Sequence, residues 1–306
     1  MTDLSDRFRG VMVGTAVGDA VGRPAEGRRS PDLARVLSYV TRAEFLPYTD
    51  DTVMTIELAE SLIACGGFDG ADMARRFALA WKAEPWRGYG SNIPKVFKAV
   101  LRGEPWAEAA ARQFDGGGSF GNGGAMRVAP VALWAYPDLE ETVRLAEMTA
   151  RVTHTHPVGV EGAVIQAVTV HHALRKDFAT DRLLADLDRS VTTDRLRRKL
   201  ERLPECLERN DDVYAKQALG NWVAADDSVV TALYALLGAS DFEDAVLRAV
   251  RLGGDADTIG AMAGAAAGAR WGYEAIPWRH KVEGHDRLVG LADRLFRRVQ
   301  ENLEAK

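Results

Sequence analysis

The chain has 306 residues, 47% of them hydrophobic, with two cysteines and a formal net charge of -5. That is ample material for a large core without staples, in one domain or two, and the acidic balance argues against a broad nucleic-acid surface. Cys65 and Cys206 lie far apart with no CxxC partner, which speaks against a disulfide framework, a zinc site or a redox dithiol, and no segment holds the ~18 uninterrupted apolar residues a membrane span needs. The expectation is a monomer of the reducing cytoplasm with no membrane or nucleic-acid partner.

Apolar spacing is helical almost throughout and period-2 alternation is scarce, so the fold class is all-α. Helices are predicted over 5–22, 52–65, 70–83, 92–102, 138–152, 157–175, 194–208, 226–238, 241–251, 256–269 and 284–303. With no Ser/Pro-rich or charged linker and no internal repeat, residues 1–306 read as a single domain, a compact orthogonal multi-helix bundle.

The first helix carries Gly14, Gly18 and Gly22 on one face, and a late helix carries Gly260, Gly264 and Gly268. Glycine costs about 1 kcal/mol relative to alanine inside a helix, so close helix packing is expected at one stripe or the other. A Rossmann or P-loop origin fails, because no strand precedes these glycines and no Gly-Lys-Ser/Thr follows.

Thr49-Asp50-Asp51-Thr52 opens directly into an apolar helical run. One helix cap needs one side chain, and adjacent carboxylates with flanking hydroxyls exceed that need. Trp86-Arg87-Gly88 followed by Tyr89-Gly90-Ser91-Asn92 is an aromatic loop that either borders a pocket or does not, which the sequence alone leaves open. Gly116 to Arg127 is a glycine tract that reads equally as a flexible surface loop or as a diphosphate cradle, in which backbone N–H groups converge on the anion, helped by a helix starting near Gly124. Phe120 in its middle either stacks on a base or anchors the loop. Thr153-His154-Thr155-His156 offers imidazoles at i, i+2, too few for zinc and better suited to a positioned hydrogen-bond donor. His171, His172, His280 and His285 read as surface or packing residues, the basic run Arg195–Lys199 as a solvated helix face, and Asp226-Asp227-Ser228 as a cap. Gly253-Gly254-Asp255-Ala256-Asp257-Thr258 then repeats the design of the first acidic cluster. Carboxylates and hydroxyls are the ligands of hard divalent cations, and the two clusters read as halves of one dinuclear cleft.

Five segments together resemble the ADP-ribosylglycohydrolase family, the all-helical dinitrogenase-reductase-activating and ADP-ribosyl-acceptor hydrolase type. They are Gly14–Gly22 with Glu26 behind it, Thr49–Thr52, Gly121–Arg127, Thr153-His154 and Gly253–Thr258. The resemblance implies that Thr49, Asp50, Asp51, Asp255, Asp257 and Thr258 ligate two Mg2+ or Mn2+ ions and that Asp19 braces the first helix region. It also implies that Ser119, Phe120, Gly121, Asn122, Gly123 and His154 bind ADP-ribose, with Trp86, Arg87 and Tyr89 near the acceptor. The expected reaction removes ADP-ribose from an ADP-ribosylated protein or small conjugate, with arginine preferred as acceptor and serine, another O-linked acceptor or a non-catalytic crystallin-like role as alternatives. Glu26, Asp50 or Asp51 is the expected proton acceptor.

Overall fold

The computed structural model describes residues 3–304 and, among them, contains seventeen α-helices, three 3-10 turns and no strand longer than an isolated bridge. Every predicted helix is present with ends within two residues of expectation, from Leu4–Gly22 to His285–Glu304. Helices Leu33–Arg42, Trp106–Ala111, Ala129–Ala135, Thr180–Ser190 and Asp212–Leu219 were not anticipated. Ala129–Ala135 is buried at every position, so it carries no polar face from which a period can be read. Trp106–Ala111 and Asp212–Leu219 have only six and eight residues, too short for a repeating stripe.

Aspartates start many of these helices. Asp3, Asp32, Asp69, Asp138, Asp211 and Asp241 each accept a backbone N–H of the first turn with the side chain, satisfying an otherwise orphaned donor. Asp255 stands at the start of Ala256–Trp271 and makes no such bond, and Asp50 and Asp51 follow a cap already supplied by Thr49. Asp50, Asp51 and Asp255 thus stand at helix starts without being the residue that caps them.

The first helix and Ala256–Trp271 run antiparallel in the middle of the molecule, and their glycine stripes face each other. A Cβ built at Gly10, Gly14, Gly18 or Gly22 would overlap the backbone of Gly268, Gly264, Gly260 or Ala256 respectively. Both stripes therefore have one purpose, and Gly10 extends the first. Backbone contact along the pair brings the C-terminal end of the first helix, carrying Asp19, against the N-terminal end of the late helix, carrying Asp257. The main apolar core runs around this pair, from Phe8 to Val299. A small satellite of Val96, Ala99 and Ala109 lies apart. No described helix is long and apolar enough to cross a membrane.

Candidate metal centre and substrate cleft

Asp19 ties the first acidic cluster to the central pair. Buried at 0% exposure, its carboxylate accepts the Thr49 and Thr52 backbone N–H groups at 3.0 and 3.1 Å and the Thr52 hydroxyl at 2.6 Å. The element it braces is the start of Asp50–Cys65, where the expectation had been the first helix region. Burial raises its pKa to about 6, while the donors favour the ionised form.

Asp50 and Asp51 therefore project from a fixed helix start. Thr49 Oγ1 donates to Asp51 Oδ2 at 3.0 Å, and Thr258 Oγ1, from the other cluster, reaches the same oxygen at 3.4 Å. That hydroxyl joins sites 207 residues apart in sequence. Asp255 accepts from Asn122 Nδ2 at 2.5 Å, so the glycine tract meets the second cluster directly. The Gly253-Gly254 approach has φ of 71° and 69°, a region open to glycine, and its backbone exchanges hydrogen bonds with Gly27 and Arg28 on the segment carrying Glu26. Six expected ligands, Thr49, Asp50, Asp51, Asp255, Asp257 and Thr258, are all buried, and Glu26 is exposed at the edge.

Burial raises the Asp50, Asp51 and Asp257 carboxyls well above the ordinary range, and their mutual charge adds to it. Asp255 is raised by burial against the hydrogen bond from Asn122. Among the described residues no trio of acidic, histidine or cysteine side chains is drawn together as a closed coordination shell. The donor set nevertheless fits a hard divalent cation: it is all oxygen, it is crowded with like charge, and Asp51 Oδ1 is buried without a hydrogen-bond partner.

The glycine tract closes the other side. Asn122 N–H donates to Val223 O at 2.9 Å and Ala225 N–H to Phe120 O at 3.0 Å, so the tract is held as a short ribbon against Trp222–Ala225. The helix at its end, Gly123–Met126, has only four residues, so the dipole support expected there is small. His154 lies under the ribbon, where a Cβ at Gly123 would come within 3.0 Å of its Nε2. Arg127 Nη2 donates to Thr153 Oγ1 at 2.7 Å, leaving that hydroxyl to donate to His154 Nδ1 at 2.8 Å. The imidazole proton then sits on Nε2, on the ribbon side. Burial first, and the Arg127 charge second, lower the His154 pKa to about 3, so the ring is a neutral donor. Arg127 was not singled out from the sequence. Its fully buried guanidinium bonds Gly123 O and Thr149 O and lies 4.8 Å from the centre of the Phe77 ring.

These groups share a cleft of about 480 Å3 lined by Glu26, Asp50, Asp51, Asp255, Asp257, Thr258, Ser119, Phe120, Gly121, Asn122, Gly123 and His154. Of the candidate site residues only Thr49 is absent from the lining. Gly88 and Gly90–Asn92 of the loop after Trp86 line the cleft as well, whereas Met54, Ile93, Gln113 and Phe114 line it and were missed. Phe114 sits six residues before Phe120, with ring centroids 6.2 Å apart, so the aromatic pair was the available signal.

Three expectations change. Trp86 and Arg87 face away from the cleft, Arg87 pairing with Glu84 and Glu283 at 3.0 and 2.6 Å, and Tyr89 packs on Phe97; only the backbone of this loop borders the site. Asp226-Asp227-Ser228 supplies no side-chain cap. Instead Asp226 and Asp227 pair with Arg195 and Lys199, so the basic run is not simply solvated. The histidines agree with the reading of them as surface or packing residues: His171 and His172 are buried, and His285 Nε2 meets the Tyr273 hydroxyl at 2.9 Å.

Comparison with known proteins agrees with this arrangement. The ADP-ribosylglycohydrolase family pattern matches residues 1–305. The chain belongs to the ADP-ribosylglycohydrolase family. Like other members it is a glycosyl hydrolase acting on ADP-ribose linkages, in a family whose catalysis depends on divalent metal. ADP-ribosylhydrolase ARH3 of Mus musculus is 36% identical over 97% of this chain and 92% of its own length. ADP-ribosyl-[dinitrogen reductase] glycohydrolase of Rhodospirillum rubrum is 30% identical over 92% of this chain and 91% of its own. A solved structure of an ADP-ribosylglycohydrolase-related protein complex superposes with a TM-score of 0.77 at 30% identity, covering 97% of this chain and 99% of the other.

Proposed function

We propose that this ADP-ribosylglycohydrolase cleaves the bond between the distal ribose C1 and an O-linked acceptor, serine foremost, releasing intact ADP-ribose. The observation that carries it is the joining of both acidic clusters and the glycine ribbon in one cleft, through Thr258 to Asp51 and Asn122 to Asp255. Thr49, Asp50, Asp51, Asp255, Asp257 and Thr258 hold two Mg2+ or Mn2+ ions. When bound, these ions supply Lewis-acid charge at the ribose hydroxyls and at the attacking water.

The chain's own residues divide the remaining work. The ribbon residues Ser119, Gly121, Asn122 and Gly123 cradle the diphosphate, with His154 Nε2–H donating to it, and Phe114 and Phe120 pack the adenine side. Glu26 takes the proton of the attacking water. Asp50 and Asp51 are engaged as ligands, which weakens a carboxylate as a base, whereas Glu26 lies at the exposed edge of the cleft.

Arginine, the acceptor first expected, is less well supported than a hydroxyl. The likeness to the ARH3 hydrolases exceeds that to the dinitrogen-reductase enzyme and favours an O-linked substrate.

The test incubates the protein with ADP-ribosyl-serine and ADP-ribosyl-arginine peptides, with Mg2+ or with chelator, and identifies products by mass. ADP-ribose released from the serine peptide only with metal is expected. AMP as product, or release from the arginine peptide alone, would overturn the proposal.

A further inference from the structure

Next to the cleft lies a second cavity of about 300 Å3, walled by Phe45, Tyr48, Trp86 and Glu283 with Arg23 at one side. Three chain segments each contribute to both cavities. Arg23 lines the second and Glu26, three residues on, the first; Tyr48 lines the second and Asp50 the first; Trp86 and Arg87 line the second and Gly88 the first. The partition is thin. Asp50 N–H donates to Arg87 O at 2.9 Å, and a Cβ at Gly88 would come within 3.3 Å of Asp50 Oδ1. Trp86 and Gly88, two residues apart, are separated by at most about 7 Å of chain.

The walls of this groove are unusual for a surface. Trp86 is 72% exposed and Phe45 56%, and large aromatic side chains left in water beside a substrate cleft mark a contact surface. The charges are not equivalent. Arg87 and Glu283 are engaged with each other, Arg87 holding Glu84 as well, whereas Arg23 is exposed and enters no ion pair among the described residues. The net character is an aromatic trough with one available cation.

We propose that this groove receives the acceptor polypeptide next to the modified residue, an apolar or aromatic side chain resting on Trp86 and Phe45 and a carboxylate pairing with Arg23. The proposal rests on the ADP-ribosyl-acceptor reading above. The occupant follows from continuity: a substrate whose ADP-ribose fills the cleft leaves it still attached to its acceptor chain, and the groove begins within two residues of the metal-side carboxylates. An acidic residue near the modification is preferred because, among the described residues lining the groove, Arg23 is the charge that enters no ion pair.

The test compares steady-state kinetics of wild type, Trp86→Ala, Phe45→Ala and Arg23→Glu on three probes joined through whichever linkage the wild type cleaves. The probes are the free ADP-ribosylated amino acid, a short ADP-ribosylated peptide with aspartate and leucine beside the modified residue, and the same peptide with lysine replacing aspartate. Expected is a rise in KM for the aspartate peptide on the order of tenfold in the aromatic variants, with kcat and the free amino acid unaffected. Arg23→Glu reverses the preference between aspartate and lysine peptides. Equal loss on all probes, or none on the peptides, would overturn the groove while leaving the hydrolase reading intact. A change in sedimentation from dimer to monomer in Trp86→Ala would assign the face to self-association and overturn it as well. Wild type that releases ADP-ribose from no probe removes the hydrolase reading and the groove together.

Discussion

At the scale of single residues, the carboxylates in the cleft differ from those elsewhere by what they do not bond. Asp69 and Asp241 satisfy helix N–H groups, whereas Asp255 caps nothing and Asp51 keeps an oxygen with no partner. Asp257→Ala is expected to lower metal-dependent turnover by at least about 100-fold with only a modest fall in melting temperature, because it removes a ligand and also relieves like-charge repulsion. Activity with Mg2+ and melting in chelator check the two halves separately. Thr153→Val removes the hydroxyl between Arg127 and His154, and KM is expected to rise on the order of tenfold with kcat little changed. Nitrogen NMR of His154 should show the proton fixed on Nε2 in the wild type and a tautomer mixture in the variant.

The same carboxylates give a pH dependence whose sign is fixed. Their folded pKa values are raised above the unfolded value of about 4, so their contribution is present at low pH and is lost as pH rises through the folded values. Bound cations offset that loss. The melting-temperature gain from Mg2+ should therefore be larger at pH 8 than at pH 5.5. Comparing with and without metal at each pH cancels the buried histidines His154 and His171, whose lowered pKa values act in the opposite direction. An equal gain at both pH values would show that the carboxylates do not bind the ion.

At the scale of elements, the central feature is the backbone contact between the first helix and Ala256–Trp271. Gly18→Ala inserts a methyl against the Gly260 carbonyl, and neither helix can retreat without moving Asp19 from Asp257. A loss of about 3 kcal/mol is expected in urea denaturation, accompanied by weaker Mg2+ binding. The sequence made long amphipathic helices legible because their stripes repeat. It hid Ala129–Ala135, buried on every side, and the six-residue Trp106–Ala111. It also displayed both glycine stripes without revealing that they face each other, since a pairing between residues about 250 positions apart leaves no local period.

At the scale of the whole molecule, the motifs indicated the cleft but not its walls. Asp50, Asp255, Asn122 and His154 were legible because several reactive residue types cluster at short spacing. Phe114 and Gln113 were not, because each enters the cleft as a single side chain from outside the motifs, and Arg127, although it ends the glycine tract, gave no sign that its side chain turns under the tract towards Thr153. The direction of Trp86 and Arg87 was likewise hidden, since neighbouring residues of one loop face two different cavities. The continuous core from Phe8 to Val299 supports our proposal that the chain is one domain, and a single cooperative urea transition, coincident by fluorescence and circular dichroism, is the expected behaviour.

The central claim is that two acidic clusters at opposite ends of the chain form one divalent-metal centre. Electron paramagnetic resonance of bound Mn2+ tests it most directly. The account predicts two spin-coupled ions in the wild type, with the coupling abolished both by Asp51→Asn, in the first cluster, and by Asp257→Asn, in the second. Coupling that survives either substitution, or Mn2+ that binds only as isolated ions unaffected by both, would contradict it.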